Sequence, residues 1–231
     1  MTRLLLLSNS TIHGEGFLDW AEEAIRDYMG ERRRITFVPF ALDDLDAYAR
    51  TAKERLGKMG YTVASAHEGD PREQVRKGDA IFVGGGNTFR LLTRLYEAGL
   101  IEEIRRAVSG GTSYIGSSAG TNVATPTIKT TNDMPIVYPP TFDALNLVRF
   151  QINPHYIDAD PSSKHMGETR EQRIREFHEM NDAPVLGMRE GAYLRIEEGA
   201  ITLGGRKGAR LFRKGVEPTE HQPGTRLTEL E

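Results

Sequence analysis

Ser118 stands at the centre of a G-x-S-x-G sequence formed by Gly116–Gly120, and the apolar pair Tyr114-Ile115 comes directly before it. Small residues on both sides of a sharp strand-to-helix turn avoid a Cβ clash and leave the central hydroxyl exposed at its tip. The pattern therefore predicts a nucleophile elbow. A structural turn in which the serine only fills space is the alternative, and Ser117 is the weaker candidate because it is off-centre.

A serine hydroxyl needs an adjacent base to act as a nucleophile at neutral pH, and that base must be one of the six histidines. His155 follows the strand candidate Arg149–Ile152 and comes directly after Pro154, which fixes the local backbone. The others lie in loops, in a helix or in the tail: His13, His67, His165, His178 and His221. His155 is therefore the predicted base, with a surface or capping role as its alternative.

Two acidic residues are candidates for the group that orients the imidazole and stabilises its cation. Asp133 lies in the sequence TTNDMP, just before a proline. Glu190 follows the strand candidate Pro184–Met188 and precedes Gly191. Each of the two also fits an ordinary turn, and the sequence does not choose between them.

Gly84–Gly86 follows a strand candidate and leads into a helix at Asn87, so its N–H groups are expected to point into the space above the sheet. The loop lacks the lysine and the spacing of a phosphate-binding loop. An oxyanion hole fits better, since acyl transfer uses one N–H after the nucleophile and one from another strand-end loop. The predicted donors are Ala119 and Gly86, with Gly85 as the alternative to Gly86. A tight strand-to-helix turn is the other interpretation.

Arg170 opens a helix that is predicted to run to about Met180, because Thr169–Gln172 fits a capping box. A positive charge in the first helical turn opposes the helix dipole, which hints at a use for this side chain. An arginine beside free N–H groups binds a carboxylate well, so Arg170 is a candidate for substrate binding. Solvated surface is the alternative.

Short apolar strands alternate with amphipathic helices along the first half of the chain, as in Leu4–Leu7, Ile35–Phe40 and Ala80–Val83. This alternation predicts an α/β fold with a mostly parallel sheet and helices on both faces, whose active site lies at the carboxyl ends of the strands. Residues 125–147 are expected to form a long ordered loop. We expect one catalytic domain over 1–231, with a polar and frayed tail over 216–231.

The composition argues against several classes of function. A net charge of −3, without a basic stripe or arm, predicts no nucleic-acid partner and no membrane partner. The chain has no cysteine, so thiolate catalysis, disulfides and cysteine metal sites are excluded. No cofactor and no metal are predicted. The Leu4–Leu7 run is too short for a signal segment, so a cytoplasmic location is expected. The sequence leaves the choice between monomer and homo-oligomer open.

Seven stretches resemble peptidase E, the α-aspartyl dipeptidase family of serine peptidases, and TTNDMPIV and QINPH are long enough to be specific. They are LLLLSNST at Leu4–Thr11, VGGGNTF at Val83–Phe89, YIGSSAG at Tyr114–Gly120, PTIKTTNDMPIV at Pro126–Val137, FDAL at Phe142–Leu145, QINPH at Gln151–His155 and GETREQRI at Gly167–Ile174. The resemblance implies a fold similar to class I glutamine amidotransferases, with a serine-based triad replacing a cysteine-based one. It also implies cleavage of dipeptides with an N-terminal aspartate, without a metal.

By this resemblance the family's serine falls on Ser118, its histidine on His155 and the aspartate of its TTNDMP motif on Asp133. A glutamate has also been considered as third member in the family, and Glu190 is the matching position. Ser117 departs from the pattern, because a tryptophan is expected there, and this is predicted to change the pocket wall beside the nucleophile. Two rival interpretations are a cyanophycinase-like hydrolase of β-aspartyl–arginine polymer and a non-enzymatic ligand-binding module on the same fold.

Overall fold

The computed structural model describes residues 2–159, 162 and 167–231. The strands in these parts of the chain are β1 Arg3–Leu7, β2 Arg34–Val38, β3 Thr62–Ser65, β4 Ala80–Val83, β5 Ser113–Ser117, β6 Gln151–Pro154, β7 Val185–Met188, β8 Ala192–Glu197, β9 Ala200–Gly205, β10 Ala209–Arg213 and β11 Val216–His221. The α-helices there are α1 Glu22–Met29, α2 Leu45–Lys58, α3 Pro71–Lys77, α4 Thr88–Glu97, α5 Leu100–Ser109, α6 Ala119–Asn122 and α7 Arg170–Met180. A 3-10 turn spans Thr228–Leu230.

The central sheet has the strand order β3-β2-β4-β5-β1-β8-β9. Its first five members run parallel, and β8 and β9 extend it as an antiparallel hairpin beside β1. The predicted α/β fold with a mostly parallel sheet is therefore confirmed. Because the five parallel strands point the same way, the residues that follow β1, β4 and β5 meet at one edge of the sheet.

Both faces of the sheet are covered, which explains why β1 reads as an uninterrupted apolar run. Leu4 and Leu6 pack in a core with side chains of α4 and α5, whereas Leu5 and Leu7 pack on the opposite face with side chains of α1 and α2. All four leucines are fully buried. This burial fixes the position of β1, and with it the polar residues that come immediately after Leu7.

A second sheet, which the sequence did not predict, has the strand order β11-β10-β7-β6. One face packs into the central core through Ile152, Leu186 and Met188. Val185 and Phe212 pack instead with Ile174 of α7. Within this sheet β6 and β7 run parallel, and Pro154 lies opposite Met188. The chain segments that leave these two strands therefore emerge side by side.

Some element predictions differ from the structure. Helix α3 was not predicted, although Asp70 caps it by accepting from Arg72 N and Pro71 occupies its first turn. The tail over 216–231 was expected to fray, but β11 pairs with β10 there and Leu227 and Leu230 are buried. A polar strand that is exposed on both faces lacks the alternating apolar pattern by which strands are recognised.

Residues 125–147 contain no helix or strand, as expected, and the capping box of α7 is present. His165 lies outside the described residues. Within the described ranges, no helix combines the length and the apolar character needed to cross a membrane.

Candidate active site

Ser118 occupies the turn between β5 and α6 with φ 54° and ψ −110°. This left-handed backbone costs a non-glycine residue about 1–3 kcal/mol, so the surrounding structure must hold it. The two flanking glycines explain how the turn fits. A Cβ on Gly116 would lie 2.6 Å from Gly120 O, and a Cβ on Gly120 would lie 2.0 Å from Val83 O. Only glycine fits at either position, and the half-buried Ser118 is left at the tip of the turn.

The side chains of Ser118, His155 and Glu190 form one hydrogen-bonded chain. Ser118 Oγ lies 2.8 Å from His155 Nε2, and His155 Nδ1 lies 2.7 Å from Glu190 Oε1. A carboxylate only accepts hydrogen bonds, so the ring proton belongs on Nδ1 and leaves Nε2 free to accept from the serine hydroxyl. This arrangement suits proton removal from Ser118.

The carboxylate of Asp133 is engaged elsewhere. Asp133 Oδ2 accepts from the N–H of Thr88 at 2.7 Å and from Thr88 Oγ1 at 2.6 Å. Of the two acids that the sequence left open, Glu190 thus contacts the imidazole of His155, while Asp133 lies at the start of α4. Both acids line the same pocket.

This pocket has a volume of about 320 Å³. Its wall combines charged, polar and apolar side chains from five loops, so that a small polar ligand would meet both acids, one cation and the serine. The lining residues are Thr88, Ser118, Ala119, Thr131, Asn132, Asp133, Pro154, His155, Ile157, Arg170 and Glu190. Ser117 is not among them, because it is fully buried in β5. The change to the pocket wall that the resemblance implies at this position stays a prediction.

Arg170 brings a half-buried positive charge to the pocket. Burial lowers the pKa of its guanidinium, and the positive charge of Arg173 adds to this effect, whereas Asp133 opposes it. Among the residues that the structure describes, Arg170 has no ion-pair partner. An unpaired guanidinium in a pocket of this size can bind a carboxylate.

Of the two predicted oxyanion donors, Ala119 directly follows Ser118 and Gly86 lies in the loop between β4 and α4. Neither the N–H of Gly86 nor that of Ala119 donates to a backbone carbonyl within the described part of the chain. Gly85 lies against the nucleophile, since a Cβ there would be 3.0 Å from Ser118 Cβ. Its backbone also forms a hydrogen bond with Tyr48, which partly opposes the rise that burial causes in the pKa of Tyr48. Gly86 stays the predicted donor of this loop, with Gly85 as its alternative.

Sequence reasoning missed several contributors to this site, among them Thr88, Ile157 and Ser8. Ser8 accepts a hydrogen bond from the N–H of His155. A signal was available for Ser8 and Asn9, because this polar pair directly follows a fully apolar strand at the edge of the sheet where ligands bind.

Comparison with known proteins places the chain in a family. The sequence model described as Peptidase family S51 matches residues 4–204. The chain is 54% identical over 228 residues to "Peptidase E" of Streptomyces coelicolor (strain ATCC BAA-471 / A3(2) / M145), an alignment covering 98% of this chain and 94% of that protein. It is 49% identical over 232 residues to the "Probable alpha-aspartyl dipeptidase" of Drosophila melanogaster, covering 98% and 96%.

Solved structures show the same fold. A putative peptidase E from Listeria monocytogenes EGD-e superposes with a TM-score of 0.69 at 25% identity, covering 90% of this chain and 100% of that one. A peptidase from an acI-B1 Actinobacterium superposes with a TM-score of 0.75 at 15% identity, covering 98% and 96%, which bears on the fold alone. Because the family's sequence model matches most of the chain and the relatives align over nearly all of it, the chain belongs to peptidase family S51.

Proposed function

We propose that this protein is a serine peptidase that hydrolyses dipeptides with an N-terminal aspartate through an acyl-enzyme. The observation that carries the proposal is the hydrogen-bonded chain Ser118–His155–Glu190 at the rim of a small pocket that also contains the guanidinium of Arg170, for which the described residues provide no ion-pair partner. Relatives named peptidase E and probable alpha-aspartyl dipeptidase support the choice of substrate.

In this proposal Ser118 Oγ attacks the carbonyl carbon of the peptide bond while His155 Nε2 takes the hydroxyl proton. Glu190 keeps the imidazole in the required tautomer and stabilises the imidazolium that forms. The N–H groups of Gly86 and Ala119 hold the developing oxyanion.

His155 then gives its proton to the leaving nitrogen, so the second amino acid departs with a neutral amino group and the aspartyl ester of Ser118 remains. Water, deprotonated by His155, attacks this ester. The proton returns to Ser118 as free aspartate leaves.

The charged groups of the pocket suit the two ends of an aspartyl residue. Arg170 is assigned to the side-chain carboxylate of the substrate, because a guanidinium binds a carboxylate through two parallel hydrogen bonds. Asp133 is assigned to the substrate's α-ammonium rather than to the triad, since its side chain lines the pocket and its Oδ2 is held by Thr88. The first residue of the substrate would then need both a free α-ammonium group and an acidic side chain.

The test is a comparison of kcat/KM for Asp-Leu, Asn-Leu, Glu-Leu, Leu-Leu and β-aspartyl-arginine, with Ser118→Ala as the control. We expect kcat/KM for Asp-Leu to exceed that for Asn-Leu by up to about 10⁴-fold. A site discriminates most strongly against a substrate that leaves a buried charge of the site without its partner. Ser118→Ala should lose several orders of magnitude in kcat with an unchanged circular dichroism spectrum.

Near-normal turnover in the folded Ser118→Ala variant would overturn the serine mechanism. Hydrolysis of β-aspartyl-arginine in preference to Asp-Leu would move the protein to the cyanophycinase-like alternative, and no hydrolysis of any of the five would favour a binding module. The assays are run in EDTA, because the mechanism uses no metal. A cytoplasmic location is also proposed, and cell fractionation would test it.

A further inference from the structure

Three consecutive residues at the carboxyl end of β1, Leu7, Ser8 and Asn9, contact the segments that carry the proposed triad. We call Leu7–Asn9 the registration segment. Leu7 O accepts a hydrogen bond from the N–H of Ser118 at 3.1 Å. Ser8 Oγ accepts one from the N–H of His155 at 3.0 Å. The nucleophile and the base are thus attached to neighbouring positions of the same buried strand.

The third contact reaches the acid. Asn9 Oδ1 accepts a hydrogen bond from the N–H of Gly191 at 2.8 Å, and Gly191 directly follows Glu190. Ser8 holds the chain on the other side of Glu190, because its hydroxyl donates to Met188 O at 2.9 Å, two residues before Glu190. The loop that presents Glu190 is therefore held at both ends by adjacent side chains.

The backbone conformations of the two reacting residues show why such contacts are needed. Ser118 has φ 54° and His155 has φ 53°, both in the left-handed region that non-glycine residues avoid. Strained conformations of this kind persist only where the surrounding structure over-determines them. In each case a hydrogen bond from the registration segment restrains the N–H of the strained residue.

Burial makes these bonds hard to replace. Ser8 is fully buried and Asn9 is 1% exposed, so both acceptors lie in the protein interior. A buried N–H that loses its acceptor either stays unsatisfied, which costs stability, or shifts towards a new partner, which moves the side chain attached to it. A displacement of about 1 Å at a catalytic group lowers the rate about 10²-fold.

We propose that Leu7–Asn9 sets the mutual register of the triad, with Ser8 as a positioning residue for His155 and Asn9 as a positioning residue for Glu190. The inference rests on the proposed function, because it presumes that Ser118, His155 and Glu190 act together. It adds two side chains that touch neither substrate nor a reacting atom. Ser8 acts through the backbone of His155, and Asn9 acts through the backbone of Gly191, the residue next to Glu190.

The first test compares Ser8→Ala with Ser8→Thr and with Ser65→Ala, using Asp-Leu as substrate. Ser65 is a matched control, because it is a fully buried serine at the carboxyl end of β3 and its hydroxyl also bonds a carbonyl, that of Phe37. We expect Ser8→Ala to lower kcat about 10- to 100-fold with KM changed less than about twofold. Ser8→Thr, which keeps the hydroxyl, should recover part of the loss, and Ser65→Ala should match the wild type.

The second test uses Asn9→Ala in two backgrounds, and it stands even if the Ser8 variants do not fold. In the wild type we expect kcat to fall about tenfold, whereas in Glu190→Ala the same change should cost less than about twofold, because no carboxylate remains to be positioned. If Asn9→Ala lowers kcat by the same factor in the wild type and in Glu190→Ala, the proposed role of Asn9 is overturned. A Ser8→Ala enzyme with kcat within twofold of wild type would overturn the role of Ser8.

These outcomes are distinguishable from a failure of the proposed function itself. If Ser118→Ala is inactive while the Ser8 and Asn9 variants are fully active, only the registration proposal fails. If Ser118→Ala stays active, the serine mechanism fails first.

Discussion

Asp133 and Thr88 are joined by two hydrogen bonds that converge on one carboxylate oxygen, Oδ2, which lies 2.7 Å from the backbone N and 2.6 Å from Oγ1 of Thr88. Thr88 is the first residue of α4, so the carboxylate sits at a helix N-terminus, where negative charge is stabilised. The pocket thus contains a fixed anion opposite the cation of Arg170. This separates the role of Asp133 from that of Glu190, although both acids face the same space.

The first prediction distinguishes the two acids by kinetics. Glu190→Gln should lower kcat for Asp-Leu by on the order of 10⁴, because an amide beside Nδ1 no longer enforces the tautomer in which Nε2 accepts from Ser118. Asp133→Asn should instead raise KM more than it lowers kcat, since the variant weakens the hold on the substrate's ammonium. Steady-state kinetics of both variants check this.

The opposite pattern, with the kcat loss in Asp133→Asn and a KM effect in Glu190→Gln, would return Asp133 to the triad. A second measurement separates binding from chemistry. N-acetyl-Asp-Leu lacks the ammonium, so it should be a poor substrate for the wild type and should lose less of its rate when Asp133 is changed to Asn.

The second prediction concerns Arg170. Arg170→Met keeps much of the side-chain length but removes the charge, so kcat/KM for Asp-Leu should fall by about 10³–10⁴ while any weak activity on Asn-Leu changes little. Arg173→Met is the matched control, because Arg173 lies on the same helix, pairs with Glu168 and does not line the pocket. Equal kcat/KM for Asp-Leu in wild type and Arg170→Met would remove Arg170 from the site.

The third prediction concerns the Gly86 loop. A Cβ on Gly86 would lie 2.7 Å from Ala41 O, and its φ of 135° suits only glycine. Gly86→Ala should therefore displace the N–H assigned to the oxyanion and lower kcat about 10²–10³-fold. Gly111→Ala is the control for backbone strain alone, because Gly111 has φ 103° but open space around it and lies at the other end of the sheet. Gly111→Ala should lower the melting temperature without changing kcat.

A Gly86→Ala enzyme that keeps its kcat while losing stability to the same extent as Gly111→Ala would contradict the oxyanion assignment. The donor would then have to be sought in Gly85, the alternative that the sequence offered.

Some parts of this site could be predicted from the sequence because they depend on local rules. The elbow is one, since a Cβ on Gly116 would clash with Gly120 O, four residues further along the same turn, although Gly120 itself is required by the backbone of Val83 in β4. The capping box at Thr169 is another, because its two hydrogen bonds involve residues only three positions apart. Both the Gly116 contact and the capping box depend on residues close in sequence rather than on the tertiary fold.

The choice between Asp133 and Glu190 could not be predicted in this way. It depends on the parallel pairing of β6 with β7, which places Pro154 opposite Met188 and so brings the segments after both strands together. That pairing belongs to the second sheet, in which 30 residues separate β6 from β7, and neither strand carries a pattern that identifies the other as its partner. Ser8 was missed for the same reason, because its bond to His155 spans 147 positions of the chain.

The last prediction concerns stability in acid, at the end of the sheet remote from the site. Asp79 accepts from the side chain of Arg34 and from the backbone N–H groups of Arg33 and Arg34, and these bonds, led by the Arg34 side chain, lower the pKa of Asp79 to about 2. Its ordinary value is 3.8, so the folded state binds this proton less tightly than the unfolded state does. The stabilisation is therefore fully present above about pH 4 and is lost as the pH falls towards 2.

Asp79→Asn removes the charge, and the free energy of unfolding should drop by on the order of 1 kcal/mol at pH 7 once solvent screening of this partly exposed pair is allowed for. For a chain of this length the loss corresponds to a fall of about 2–4 °C in melting temperature. The difference from wild type should stay constant between pH 7 and 5, shrink through pH 4 and 3, and approach zero near pH 2. Because Asp79 lies far from Ser118, kcat for Asp-Leu at pH 7 should not change.

Glu54→Gln is the control, since Glu54 pairs with Lys58 on the surface of α2 with 66% of its side chain exposed, compared with 27% for Asp79. Exposed i,i+4 ion pairs contribute little to stability, so this variant should have the same melting temperature as the wild type at every pH. A difference between wild type and Asp79→Asn that persists unchanged down to pH 2 would show that the aspartate acts through its shape and not through its charge.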